Sequence, residues 1–424
     1  MALAIFIATG PGPSSIRGYS IIRNFHRIKD FPPADLLQET TLCCAQNIVA
    51  FVFGRAMHTT NIVASLSSAS TITRTRNSTR IQWIDVMRGI AIVTMIPANF
   101  SPWLAAPHPF WLRIIGSYAA PAFIMLSAGM VILHGARHDL GYFLIRGAMI
   151  LVFGAFIHIF VWRACPFISF DVLNVIGLAL PIIYISRRWS ILGLLCVGFL
   201  FFAVAPILQR LVGYEHEPLE IALTSVYWPG FGRVLKSWFV DGWFPIFPWL
   251  GFSFFGAAFF QTVFAEADDQ PPRWIILLAA GALTLGVFLF FMPGTNLNEV
   301  VLEEREGYSE LFYPPTIPYM LSALGVVLLL AVFAQKISHF RASSALSLLG
   351  RYSLFIYIFH QAAAAYLLDL GIRYFGGESI RSEGLFLLVA LLQIAIAYCC
   401  CQIIERAKIR HPPHVLLWRM LFGK

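Results

Sequence analysis

The residues best suited to chemistry fall in one stretch, Arg80 to Phe110, reading RIQWIDVMRGIAIVTMIPANFSPWLAAPHPF. Asp85 and Arg88 open an apolar run, Asn99 closes it, and His108 follows in a proline-flanked loop. A helix that takes an acid, a base and an amide into lipid is a functional candidate, because each polar group is costly there unless it finds a partner. Asp85 and Arg88 are three positions apart on one helical face, so mutual pairing is the plain account of those two. Asn99 and His108 have a chemical reading: a histidine is the usual general base near neutral pH, and a neighbouring amide can hydrogen-bond a developing oxyanion or orient a nucleophile. The alternative for His108 is a solvated interfacial side chain.

Other polar residues compete with this pair. His360, in GRYSLFIYIFHQ, stands nine positions beyond Arg351 inside an apolar helix. It is read either as a substrate contact or as a core histidine bonded to a neighbouring helix. Arg163 and Asp171 flank the turn WRACPFISFDVLN and are placed either to bind a polar acceptor or to pair with each other. Arg88, Arg137, Arg146 and Arg351, with His134, form a candidate anion site of the kind guanidinium groups make for phosphates. Topology signals and anionic lipid headgroups are the other account of those arginines. No Walker loop, GxSxG elbow, HExxH or dinucleotide fingerprint is present, and the seven cysteines lack metal-ligand spacing. No metal is expected.

The elements that must position these residues are membrane helices. The 424-residue chain is 58% hydrophobic and only 12% charged, where soluble proteins average roughly 25% charged, and its mean hydropathy is +0.73. The net charge of +8 lies in short clusters between apolar segments, which marks topology and excludes a nucleic-acid-binding face. Ten apolar stretches are expected as helices, at about 83–100, 118–135, 141–162, 170–186, 189–208, 244–264, 274–292, 316–335, 350–369 and 384–404. The fold class is therefore an all-α polytopic bundle of about ten transmembrane helices. Lys and Arg in the connections after even-numbered segments place both termini in the cytoplasm, with the bundle expected in the plasma (inner) membrane. Asn99, His108, Arg163 and Asp171 then face the non-cytoplasmic side. Residues 1–78 lack a spanning run and read as a poorly ordered basic extension, or as a stretch upstream of the natural start. No basic n-region precedes MALAIFIATG, so a cleaved signal peptide fits poorly. Residues 79–410 form the membrane domain and 411–424 a cytoplasmic tail.

Several motifs resemble one family in order: R-x-x-W-I-D-V-M-R-G-I-A-I-V-x-M-x-x-x-N at 80–99, APAFIMLSAGMVI at 120–132, FDVLNVIGLAL at 170–180, FPWLGFSFFGAAF at 247–259 and GRYSLFIYIFHQ at 350–361. They resemble the heparan-α-glucosaminide N-acetyltransferase catalytic-domain family of transmembrane acyltransferases, over about residues 80–365. The resemblance implies a bundle that takes an acetyl group from cytoplasmic acetyl-CoA, or another acyl-CoA, to a glycan or glycolipid amine or hydroxyl on the far side. It implies that Asn99 and His108 are the catalytic pair; the candidate anion site, Arg88, Arg137, Arg146 and Arg351, is then expected to hold the CoA moiety. Arg163, Asp171 and His360 would serve the acceptor. Membrane lipids surround the bundle, nucleic acid is not a partner, and a homodimer is an arrangement the sequence leaves open. The rival from another class is a transporter or flippase for an anionic or glycolipid substrate.

Overall fold

The computed structural model describes residues 80–265, 270–292, 304–374, 377 and 379–410, the side chains of 409 and 410 excepted. These belong to the unit Thr79–Lys424. The expected N-terminal extension 1–78 with Cys43 and Cys44, and the tail 411–424, lie outside the described residues. Among the described residues the fold is helical, and the sheet-like contacts are isolated bridges such as Leu104 with Ile380 and Ala164 with Ala222.

In chain order the helices are α1 (Gln82–Asn99), α2 (Phe110–Gly116), α3 (Ala119–His134), α4 (Leu140–Phe156), α5 (Val172–Ser186), α6 (Ile191–Val212), α7 (Phe231–Lys236), α8 (Ile246–Ala265), α9 (Trp274–Phe290), α10 (Ile317–Ile337), α11 (Ser343–Arg351), α12 (Ser353–Ala362), α13 (Asp369–Tyr374) and α14 (Glu383–Arg410). Among the described residues eight spans, several built from consecutive segments, are long and apolar enough to cross a membrane, and α5 and α9 are two shorter apolar helices. Together they account for the ten stretches read from the sequence.

Local signals set the boundaries. Asp139, Ser190 and Thr316 cap α4, α6 and α10 by accepting from the amides of Tyr142, Gly193 and Tyr319, which satisfies one orphan donor in each first turn. Pro97 lies in the last turn of α1 and takes one amide out of its ladder. The helix ends two residues later on Asn99 and passes into a 3₁₀ turn, Ser101–Trp103.

Burial separates centre from rim. In α1 and α8, 72% and 78% of the spanning window is buried, against 22% in α6 and 28% in α14, so the first two are core helices and the last two face lipid. Helix α1 touches α3, α10, α11, α12 and α14. Its approach to α11 is backbone to backbone: a Cβ on Gly89 would collide with the Leu346 carbonyl, and one on Gly350 with the Asp85 carbonyl. Small residues permit such contacts in membranes, where dispersion and hydrogen bonding rather than hydrophobicity hold helices together. Gly256 against the Met125 backbone does the same for α8 and α3, and Gly325 against Ala279 and Leu283 for α10 and α9.

The side of the bundle where α1 begins is called the arginine end here, and the opposite side, where α1 finishes on Asn99, the loop end. Because no side chain yields at the α1–α11 contact, Gly350→Ala is expected to cost about 3 kcal/mol or more, lowering the thermal midpoint in detergent. Gly281→Ala on α9, where an added Cβ meets nothing within 4 Å, should leave it unchanged.

Candidate active site

The arginine end gathers cations around two carboxylates. Asp85, buried at the start of α1, accepts from Arg80 Nε at 2.5 Å and from Arg88 Nη1 at 3.2 Å, the second being the same-face pair expected from the spacing. The charges of Arg80 and Arg146 also act on Arg88. Arg351 Nη1 donates to Glu405 at 2.6 Å, the Tyr352 hydroxyl donates to the same carboxylate, and Lys408 lies over the Tyr352 ring. The Arg351 Nε is buried with no hydrogen-bond partner among the described residues. Arg146 donates to the Tyr142 hydroxyl at 2.9 Å, and Arg137 and Arg146 both act on His134. Glu405 aside, the arginines proposed from sequence thus collect at one end with more positive than negative charge.

At the loop end His108 is buried, only 6% exposed, so it is not the solvated loop histidine of the plain reading. Its loop is sewn to the segment before α14 by Ala105 N to Ile380 O at 2.9 Å and Ile380 N to Trp103 O at 2.7 Å. The His108 Nε2 bonds the Leu104 carbonyl at 3.0 Å, while Nδ1 stands 3.6 Å from Glu304 Oε1. The same Glu304 oxygen accepts from the His108 amide and from Arg113, each at 3.3 Å. With Nε2 tied to a carbonyl, Nδ1 is the nitrogen left to take a proton, and a carboxylate sits beside it.

Asn99 donates from Nδ2 to Met95 O at 3.0 Å and accepts at Oδ1 from Gln361 Nε2 at 3.3 Å. No hydrogen bond joins Asn99 to His108 among the described residues; they share the loop end without touching. Two π-helical turns shape the wall nearby, Ile157–Trp162 after α4 and Ala363–Leu368 after α12. They pack together, and the Tyr366 hydroxyl donates to the Phe160 carbonyl across them. Such turns are rare and concentrate at functional sites.

Arg163 ends the first π turn in a left-handed conformation, φ 53°, with its side chain exposed. Asp171 caps α5 through Val172 N at 2.6 Å and accepts from the Tyr357 hydroxyl at 3.2 Å. No ion pair joins Arg163 to Asp171 among the described residues, so mutual pairing does not explain them. His360 is fully buried, donates from Nδ1 to its own helix at Ile356 O, 2.9 Å, and meets Tyr357 edge-on, with Nε2 unpartnered. The partner is its own helix, not the neighbouring one expected.

The loop 304–316 brings the carboxylates that close this end. Buried Arg305 anchors it, donating to the Tyr214 hydroxyl at 3.0 Å and the Gly242 carbonyl at 2.9 Å, between the rings of Trp243 and Tyr313 at 5.2 Å each. Gly307, at φ 81°, lets the loop cross Pro102, whose Cα a Cβ would approach to 2.9 Å. Burial, then the charges of Glu220 and Glu217, pushes the Glu306 carboxyl up to about 7. Burial likewise pushes Glu310 up to about 7, and raises Glu220 against the bond it accepts from Trp243 at 2.7 Å.

These two ends define a multi-pass helical membrane protein with its polar groups sorted between a cationic face and an amide, imidazole and carboxylate face. The catalytic region of heparan-alpha-glucosaminide N-acetyltransferase matches residues 80–293, half of the chain, and the protein belongs to that family of membrane acetyltransferases. No curated protein matches the chain. The matched region holds Asn99, His108, Arg88, Arg137, Arg146, Arg163 and Asp171, and ends before the GRYSLFIYIFHQ helix.

Glu304, Tyr357, Gln361 and Glu310 escape a reading by motif. Gln361 stands beside His360 in a quoted segment, which was the one signal available for it; Glu304 lies in a loop with no periodicity to aim it. Glu310 carries a consequence for stability. A carboxyl raised from 4.5 to about 7 in the folded state holds its proton there more tightly than in the unfolded chain, so its contribution is complete below about pH 4.5 and is lost as pH rises through about 7. The thermal midpoint should therefore fall between pH 5 and pH 8. Glu310→Gln should flatten part of that fall and raise the midpoint at pH 8; an unchanged slope would assign it to other groups.

Proposed function

We propose that the protein transfers an acetyl or other acyl group from acyl-CoA, bound by its phosphates at the arginine end, to an amine or hydroxyl at the loop end. The observation that carries this, beyond family membership, is the buried His108 with Nδ1 facing Glu304, a base whose developing charge has a carboxylate beside it. The acceptor nitrogen or oxygen attacks the thioester carbonyl carbon, and His108 Nδ1 takes the proton that the attacking atom loses. Asn99 donates a hydrogen bond to the carbonyl oxygen as charge builds on it. When the intermediate collapses the carbon–sulfur bond breaks, the acyl group stays on the acceptor, and the CoA thiolate recovers the proton from the imidazolium. The acyl arm has to carry the thioester inward across an apolar core about 30 Å thick.

The acceptor we propose is a glycan or glycolipid, with the exposed Arg163 and the nearby Asp171 available to its hydroxyls and His360 deeper in the wall. The arginine end would face the cytoplasm, by the positive-inside rule. Arg88, Arg137, Arg146 and Arg351 suit a polyanion: guanidinium groups bind phosphates bidentately, and the unpartnered Arg351 Nε supplies a donor.

His108→Gln, which can keep the bond to Leu104, is expected to lower transfer about 10²–10⁴-fold while acyl-CoA binding stays within twofold. A loss confined to His360→Ala would move the centre deeper into the bundle and remove His108 from it. Arg351→Gln should weaken acyl-CoA binding by about 1.5–3 kcal/mol, the worth of a charge-assisted hydrogen bond, read by calorimetry on protein in detergent. Unchanged binding in this variant and in Arg146→Gln would return those arginines to a purely topological role, and a protein that neither binds nor turns over acyl-CoA would favour the transporter reading.

A further inference from the structure

The proposed role of Asn99 needs its amide to face one way, since an amide turned over would present its oxygen, not its N–H, to the thioester carbonyl. We infer that Gln361, Tyr357 and Asp171 are positioning residues that fix this orientation through a directed chain of hydrogen bonds; the inference rests on the transfer reading above. None of the three touches the reacting atoms in this role. Tyr357 and Gln361 lie on α12, beyond the region that matches the family.

The direction of the chain starts from Asp171. A carboxylate only accepts, and one of its oxygens is already held by Val172 N at the head of α5. The other, 3.2 Å from the Tyr357 hydroxyl, therefore requires the phenol to donate toward it. The phenol oxygen is left with lone pairs, and Gln361 stands one turn further along the same face of α12. Gln361 Oε1 has no partner among the described residues, while Nε2 donates to Asn99 Oδ1 at 3.3 Å and keeps a second hydrogen for the phenol. A turned Asn99 would set its NH₂ against the NH₂ of Gln361, donor against donor. In the orientation observed, Nδ2 spends one hydrogen on Met95 O at 3.0 Å and keeps a second for a substrate oxygen.

The chain spans three elements, the head of α5, α12 and the tail of α1, and Gln361 in it is only 6% exposed. Its unpartnered Oε1 sets it apart from an ordinary core amide, since buried polar atoms are nearly always paired. The structure leaves both amides, Asn99 and Gln361, one polar group short of saturation at the same place.

The test uses the full chain in detergent with acetyl-CoA as donor and glucosamine as the acceptor probe. Gln361→Glu replaces the donor facing Asn99 Oδ1 with an acceptor, and Tyr357→Phe cuts the chain while keeping the ring. Each should lower kcat by about 10- to 100-fold, the loss expected when a group is misplaced and not removed, with KM for acetyl-CoA within twofold. In an Asn99→Ala background neither should have a further effect, because there is no amide left to orient. Equal losses in both backgrounds, or an effect on KM alone, would overturn the inference. A large loss in Asn99→Ala with wild-type rates in both α12 variants also overturns it and leaves the role of Asn99 standing, whereas full transfer in Asn99→Ala overturns both. Should Gln361→Glu fail to fold, Tyr357→Phe decides alone.

Discussion

The contact on which the rest depends is the one between the backbones of α1 and α11. Gly350 rests on the Asp85 carbonyl and Gly89 on that of Leu346, with no room for a methyl group at either point. This sets the axial register of two helices that each carry site residues. From Asp85, α1 rises about 21 Å to Asn99, whereas α11 runs the other way along it, with Leu346 at Gly89 and Gly350 at Asp85. At Tyr352, φ −105° and ψ 24°, the chain leaves helical geometry and α12 begins. The two amides then meet at 3.3 Å. A shift of α11 by one residue would carry Arg351 away from Glu405.

The ends of the bundle treat charge differently because they stabilise different things. At the arginine end each carboxylate meets more than one cation: Asp85 meets Arg80 and Arg88, Glu405 meets Arg351 and Lys408, and Glu405 also accepts from the Tyr352 hydroxyl. Positive charge is left over, which suits a phosphate-bearing ligand or a headgroup surface. At the loop end carboxylates are buried close together, and Glu306 is pushed toward neutrality first by burial and then by Glu220 and Glu217. Carboxylates at one end are thus paired with cationic side chains, while at the other Glu306 is driven toward the protonated form, first by exclusion from water.

Much of this was legible in the sequence where the signal is periodic or local. The ten apolar stretches appear as eight long spans and two shorter helices, since run length alone separates a membrane helix from a loop. The Asp85–Arg88 pair follows from three-residue spacing, and the even number of crossings puts Arg80 near Lys408, whose charges act on one another. Placement of Asn99 and His108 at one end follows from the same parity. The long-range contacts of these two residues were not legible. Glu304 lies 196 positions from His108 and Gln361 262 positions from Asn99, and no local pattern links residues so far apart. The π turns at Ile157–Trp162 and Ala363–Leu368 were hidden for another reason: one extra residue in a turn leaves an apolar run looking like continuous helix.

The proposed role of base goes to His108 and not to His360 because of what each ring meets. Both rings bond a carbonyl four residues earlier, Leu104 for one and Ile356 for the other, so each has one nitrogen left for a proton. In His360 that nitrogen is buried among apolar side chains with Tyr357 edge-on, and no carboxylate is paired with it among the described residues. Taking a proton there would create an unpaired charge in a medium of low dielectric, which is strongly disfavoured. In His108 the corresponding nitrogen faces Glu304, which is itself oriented by Arg113 and by the His108 amide. The carboxylate can reach it because the loop 304–316 is free of helical spacing and is pinned at the adjacent Arg305. A proton arriving on His108 would complete an ion pair whose partner is already in position, and that difference is the ground for proposing His108 over His360.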